Sequence, residues 1–481
     1  MAVTHRLGLA AAAGLPAAAR PLVRPGEVRP GIVHLGLGAF HRAHQAVYTE
    51  AAVAASGGNW GIVGIAPRSR EIVDRLREQD RLYSVLTVGG NADEARAVGI
   101  LSGLGHAAGD PYGVLAAIAD PAIRIVSLTV TEKAYRLTGD DHMRAQLTGD
   151  APPVSVPALL ARGLLARRAA GAGPLTVLCC DNLQGNGPRI RALVARALEV
   201  AGAQLPDDVA FPATMVDRIV PATTADHRRR AALALGADDA VPVVAEPFTQ
   251  WVIEDRFPGG RPDWPSAGVV LTSDVTPWET LKLRALNAVH SALAYLGALA
   301  GHELIADSLD MPGMSEVLRR FLAEEVARTV TPPPGVTVTG YGATVLTRFA
   351  NRELRHRNIQ VAMDGTQKLP HRLLGTIQDL RDQGGNPCWA GLFLAAWMRF
   401  ARGYADSGAR LPLDDPLSGR IREALAAMPD TPNGVTSALT GLSEVFPPGL
   451  AGDDVLRREV VRWYGELDRH GAAATIREAG R

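Results

Sequence analysis

Lysine is almost missing from this chain. Of its 481 residues, 50 are basic, and three of those, Lys133, Lys282 and Lys368, are lysines. All the other basic residues are arginine, so an amine that can lose its proton near neutrality is available at very few places. Cysteine is nearly as scarce. Cys179, Cys180 and Cys388 supply neither a C-x-x-C metal spacing nor an even set for a disulfide framework, which fits a reducing cytoplasm. Net charge is absent too. Fifty basic groups balance 50 acidic ones, so nothing draws the chain to nucleic acid, and the run Arg228, Arg229, Arg230 reads as a solvated helix face. No stretch reaches the ~18 apolar residues that span a bilayer. The alanine-rich LGLAAAAGLPAAARP lacks a strong cationic lead and carries Pro16 and Arg20, so it reads as a helical arm or loose N-terminus rather than a signal peptide.

What is present is enough for two cores. Single cores stop growing near ~250–300 residues, so a chain of this length divides. The segment GIVHLGLGAFHRAHQAVYTE begins with an apolar run, Ile32 to Leu35, passes through Gly36-x-Gly38 and turns helix-compatible at Phe40. Strand, glycine turn and helix in this order suit a dinucleotide, whose pyrophosphate needs close backbone approach. The third glycine of G-x-G-x-x-G is replaced by His41. Further apolar runs at 60–66, 123–130, 175–180 and 241–246 alternate with helical stretches, which predicts a parallel, doubly wound sheet. Two runs end in polar groups: Glu132 and Lys133 after SLTV, and Asp181, Asn182 and Asn186 after CC. By spacing alone the asparagines read as turn chemistry. After WGIVGIA comes PRSRE, with no acid for a ribose 2′-hydroxyl and with Arg68 and Arg70 available for a 2′-phosphate, so NAD and NADP both remain open.

The character changes near residue 275. TPWE combines an N-cap threonine, Pro277 at the first helical position and Glu279 three residues on, a helix start. Beyond it, helix candidates at 314–328, 388–404, 416–427 and 453–467 are separated by Pro/Gly segments. The expected fold is α/β, a Rossmann-type doubly wound N-terminal domain over 1–275 followed by a mostly α-helical C-terminal domain over 276–481 that binds substrate.

On a regular helix from 276 to about 301, Glu279, Lys282, Asn287 and His290 fall within an arc of roughly 140°. An acid, an amine, an amide and an imidazole on one face suit alcohol oxidation: a neutral lysine takes the hydroxyl proton and amide donors stabilise the alkoxide. An inter-domain hydrogen-bond network is the structural alternative. No Tyr-x-x-x-Lys pair and no cysteine and histidine set for a catalytic zinc offers another route.

Seven blocks, GIVHLGLGAFHRAHQA, SLTVTEKAY, CCDNLQGNG, TMVDRIVPA, EPFTQWVIED, RPDW and KLRALNAVHSALAYLG, run in this order along the chain. Together they resemble the polyol-specific long-chain dehydrogenases, the mannitol dehydrogenase and fructuronate reductase family. The resemblance implies an enzyme that uses NAD without metal on a small polyol or sugar acid. The cytoplasmic location and the lack of a membrane or nucleic-acid partner are expected from composition, and a monomer or small homo-oligomer is expected without a sequence signal to choose between them. The resemblance makes Lys282 the general base, Asn287 and Asn182 the alkoxide-stabilising pair, and His290 a substrate-positioning group. Glu132 and Glu279 become the proton relay, and Asp217 a substrate-pocket residue. The glycine turn with Gly36, Gly38 and Phe40, and the Arg68, Ser69, Arg70 segment, become the cofactor contacts. Family members typically use NAD, which is the default here, but those selecting it often carry an acid where Ser69 stands, so NADP use stays open. The block AMDGTQKLPHRLL looks more like fructuronate reductases than mannitol 2-dehydrogenases, with Lys368 and Arg372 as cations for a sugar-acid carboxylate. A mannitol/fructose enzyme is the alternative, and a non-catalytic NAD(P)-sensing regulator the second one.

Overall fold

In a computed structural model, residues 5–89, 92–130 and 141–481 are described. The chain divides into two compact units, Met1–Val275 and Thr276–Arg481.

Among its described residues the first unit holds twelve strands: β1 Pro30–Leu35, β2 Gly61–Ala66, β3 Tyr83–Thr87, β4 Glu94–Val98, β5 Leu101–His106, β6 Ile125–Leu128, β7 Leu175–Cys179, β8 Val209–Ala210, β9 Thr214–Asp217, β10 Val243–Ala245, β11 Gln250–Glu254 and β12 Val270–Thr272. Six of them form one parallel sheet in the order β5-β2-β1-β6-β7-β8. This is a doubly wound, Rossmann-type sheet. The strands leave β1 in one direction through β2 and β5, then resume on its other side at β6, so the topological switch lies between β1 and β6. Apolar runs are needed here because both faces are covered. Ile32 packs into one core with Ile62, Ile125 and Leu178, whereas Val33 and Leu35 pack into another with Ile65, Val126 and Val177.

One strand predicted for this sheet lies elsewhere. VPVVAE yields β10, which pairs in parallel with β3 in a separate three-stranded sheet, β10-β3-β4. A third sheet, β12-β11-β9, carries Asp217 at the end of β9. The arginine run lies on the helix Ala225–Leu235, where Arg229 pairs with Asp226 and Arg230 with Asp93.

The second unit is helical. The helix predicted from TPWE begins at Thr276 itself and runs through Leu299. Helices Met314–Arg320, Cys388–Ala401, Ser418–Ala426 and Asp454–His470 fall at the four other predicted places. An unpredicted helical run, Gly365–Asp382, contains Pro370. Proline has no N–H to donate, and the chain widens into a π-helical turn at Pro370–Leu374. Among the described residues no helix is long and apolar enough to cross a membrane.

Two buried carboxyls give this fold a pH dependence. Glu50 accepts a hydrogen bond from the Gly99 amide at 2.6 Å, and burial raises it from 4.5 to about 7. Glu325 accepts from the Trp389 and Ala390 amides and is likewise raised by burial to about 7. A carboxyl that binds its proton more tightly when folded stabilises fully below its unfolded value, and that contribution is lost as pH rises through the folded value. Glu50→Gln is therefore expected to gain thermal midpoint relative to wild type as pH rises from about 5 to about 8. This difference isolates the carboxyl from the buried neutral histidines, whose contribution grows with pH up to about 6.5. A difference between the two midpoints that stays constant over this range contradicts the assignment.

Candidate active site

At the switch point the glycine turn is shaped by histidines. Gly36 sits at φ +112°, and a Cβ there would lie 2.0 Å from the Thr129 carbonyl oxygen, so the turn next to β6 demands glycine. Gly38 is different. A Cβ there would meet only the Gly36 oxygen at 3.8 Å, ordinary contact, so the protein's own packing does not require it. The exposed backbone it leaves bare is what a pyrophosphate approaching the turn needs.

His34, on β1, locks this turn from beneath. Its Nδ1 lies 2.8 Å from Ser127 Oγ, and its Nε2 lies 2.9 Å from Thr129 Oγ1 and 3.1 Å from the Gly36 carbonyl oxygen. Burial lowers it to about 3, so the ring is neutral. Nε2–H then donates while Nδ1 accepts from the serine hydroxyl. His41 explains the absent third glycine: its ring stacks on His34 at 3.4 Å and 11°. A flat pair of imidazoles gives the close helix-to-strand packing that glycine provides in the usual fingerprint. Phe40, half-buried, stacks in turn on His44 at 5.0 Å. Arg68, Ser69 and Arg70 follow β2 and are exposed; Arg70 pairs loosely with Asp74, and the Arg68 carbonyl receives a bond from His106.

Past β7, Asp181 accepts from the Val130 amide at 2.7 Å, tying this turn to the end of β6. Asn186 donates to the carbonyls of Asp181 and Thr214 and accepts from the Thr214 amide, tying the same turn to β9. Asn186 is thus a structural clamp. Asn182 stands between these two braces and is exposed, while Asp217 is buried. Glu132 and Lys133 lie outside the described residues.

In the second unit the lysine-bearing helix is not regular. Residues Thr276–Leu281 are α-helical, Lys282–Asn287 form a π-helix, and Ala288–Leu299 return to α. The expected 140° arc is corrected accordingly. A π-helix bonds i to i+5 with about 4.4 residues per turn, so five residues make little more than one turn. Lys282 and Asn287 then differ by roughly 50° instead of the roughly 140° of a regular helix, and His290 falls within about 10° of Lys282. The wide turn gathers the three polar groups on one side. Glu279, Lys282 and Asn287 are all buried.

Around His290 the groups are cationic or aromatic. Its ring stacks on Phe349 at 4.6 Å and meets His356 edge-on at 4.6 Å. Burial first, then His356, Arg372, Lys368 and Arg348, hold its pKa well below the ordinary value. Arg372 donates to Ser291 Oγ at 3.0 Å and to the Asn287 carbonyl at 3.4 Å. Its Nε and Nη2 make no hydrogen bond and no carboxylate pairs with it among the described residues. Lys368 is less available than expected for a substrate cation: its ammonium donates to the Met363 carbonyl at 2.5 Å and the Val361 carbonyl at 3.3 Å. Sequence reasoning missed His34, His356 and Phe349, since none stands in a spaced motif with its partners.

The family follows from comparison with known proteins. Residues 30–266 match the mannitol dehydrogenase Rossmann domain, and residues 274–468 the mannitol dehydrogenase C-terminal domain. The chain belongs to the mannitol dehydrogenase family of oxidoreductases. It is 37% identical to the D-mannonate oxidoreductase of Escherichia coli K12, over 95% of this chain and 97% of that one. It is 34% identical to the polyol:NADP oxidoreductase of Gluconobacter oxydans, over 91% and 94%. The structure of Pseudomonas fluorescens mannitol 2-dehydrogenase in ternary complex with NAD and D-mannitol is similar at a TM-score of 0.85 and 33% identity, covering 98% of this chain and 99% of that one.

Proposed function

We propose that this enzyme interconverts a keto sugar acid and its secondary alcohol, D-fructuronate and D-mannonate, with NAD(H) as cofactor and NADP(H) accepted. The observation that carries the substrate choice is Arg372: a half-buried guanidinium with unused donors and no carboxylate partner among the described residues, beside His290. A half-buried cation without a carboxylate partner favours an anionic ligand, and a substrate carboxylate supplies one. A neutral polyol such as mannitol does not. The D-mannonate oxidoreductase relative agrees with this choice.

In the oxidation direction Lys282 accepts the hydroxyl proton of the substrate alcohol. Asn287 and Asn182 donate hydrogen bonds to the alkoxide as it forms, and His290, held neutral, hydrogen-bonds a neighbouring hydroxyl. Glu279 and Glu132 pass the lysine's proton to solvent, and Asp217 contacts the substrate chain. In the reduction direction Lys282 returns the proton to the oxygen. When bound, the nicotinamide supplies or receives the hydride. The Gly36–Gly38 turn and Phe40 would hold its pyrophosphate, and Arg68, Ser69 and Arg70 would line its adenosine ribose. No acid stands among residues 67–70 directly after β2 to repel a 2′-phosphate, which supports NADP(H) acceptance. The polyol:NADP oxidoreductase relative is consistent with it.

The test is cofactor oxidation by the purified enzyme with D-fructuronate, NADH and NADPH in parallel. Turnover with both is expected, the two kcat/KM values lying within about 100-fold, a gap of about 2.7 kcal/mol. Absence of turnover with either cofactor contradicts the reading.

A further inference from the structure

His290 is half-buried, with one ring nitrogen sealed from solvent. A buried imidazole is ordinarily oriented by a hydrogen bond from its second nitrogen. Here Nε2 is buried and has no hydrogen-bond partner among the described residues, so no bond from this nitrogen sets the ring angle and the rings packed against it must. Two rings do this. Phe349 lies against the face of His290 at 4.6 Å and 23°, and His356 presents its edge at 4.6 Å and 65°.

The placement of His356 is built with care elsewhere in the chain. Arg355 before it adopts φ +46°, a left-handed conformation that a long side chain takes only under constraint. The His356 carbonyl accepts from the Ile305 amide at 2.9 Å, and the Asn358 amide donates to the Glu303 carbonyl at 2.8 Å. Asn358, fully buried, donates to the His302 carbonyl at 2.9 Å and to Ser308 Oγ at 2.8 Å. These bonds fasten a short bridge between Leu304 and Arg357 and leave His356 little freedom to move. Its Nδ1 is buried and also lacks a partner among the described residues.

We propose that His356 is a positioning residue that, with Phe349, clamps the His290 ring at the angle from which it contacts substrate. The proposal rests on the reading of His290 as a substrate contact. A misplacement of about 1 Å at such a group costs up to about 100-fold in rate.

The test compares His356→Ala and His356→Phe in the full-length enzyme. His356→Ala is expected to lower kcat/KM for the sugar substrate by roughly 10- to 100-fold, mainly through KM, with cofactor KM and Tm unchanged. His356→Phe restores an aromatic edge and is expected to recover most of the loss. Wild-type kcat/KM in the alanine variant, a parallel fall in Tm and cofactor affinity, or no recovery with phenylalanine overturns the clamp. A second readout separates this from the functional reading. In protein labelled with 15N-histidine, the His290 imidazole is expected to give one tautomer signal, averaged in His356→Ala. If the wild type turns over no sugar, the functional reading has failed, and an unchanged imidazole signal then overturns the clamp on its own.

Discussion

Lys282→Ala is expected to lower kcat/KM by roughly 10²- to 10⁴-fold, the usual worth of a general acid–base group, while the affinity for nicotinamide cofactor stays near wild type. The loss belongs in kcat. Lys282 is buried on the wide turn that brings Asn287 and His290 to its side, so its amine is shielded from bulk water. Lys282→Arg is expected to be no better than alanine, because a guanidinium remains protonated above pH ~12 and cannot accept the hydroxyl proton. Single-turnover measurement of cofactor oxidation, with cofactor binding followed separately by fluorescence, distinguishes a chemical defect from a binding one. An arginine variant with most of the wild-type rate would remove proton transfer from Lys282.

Removing the cations beside His290 is expected to change which sugar the enzyme prefers. Arg372→Leu is expected to reduce kcat/KM for D-fructuronate by about 10- to 100-fold, the worth of one or two charge-assisted hydrogen bonds, and to leave D-fructose within about threefold. Lys368→Met is expected to act in the same direction with a smaller effect, since its ammonium already donates to the Met363 and Val361 carbonyls. Arg372 also holds Ser291 and the Asn287 carbonyl, so its removal is expected to cost some stability. The ratio between the two substrates corrects for that, because misfolding lowers both equally. Equal losses on both sugars would return Arg372 to a structural role.

Part of this site could be read before the structure was known. The runs that become β1, β2, β6 and β7 were legible because strands buried on both faces need continuous apolar residues. β4 and β5 were not, since EARAV alternates charge with alanine and LSGLGH is interrupted by glycine, and neither resembles a covered strand. VPVVAE was recognisable as a strand, but sheet membership depends on a partner, β3, more than 150 residues away. The lysine, asparagine and histidine of the second unit stood out by residue type, yet their alignment did not. The change from i+4 to i+5 bonding at Lys282–Asn287 leaves no trace in composition, and Pro370 argued against the helix that carries Lys368 and Arg372. His356 meets His290 across 66 positions through a bend at Arg355, a contact that only tertiary structure makes.

The most direct measurement is the ratio of kcat/KM for D-fructuronate to that for D-fructose, taken with NADH on the wild-type enzyme at neutral pH. A ratio above roughly 10, about one charge-assisted hydrogen bond, is the expected result. A ratio below one would make the enzyme a mannitol dehydrogenase and contradict carboxylate recognition by Arg372.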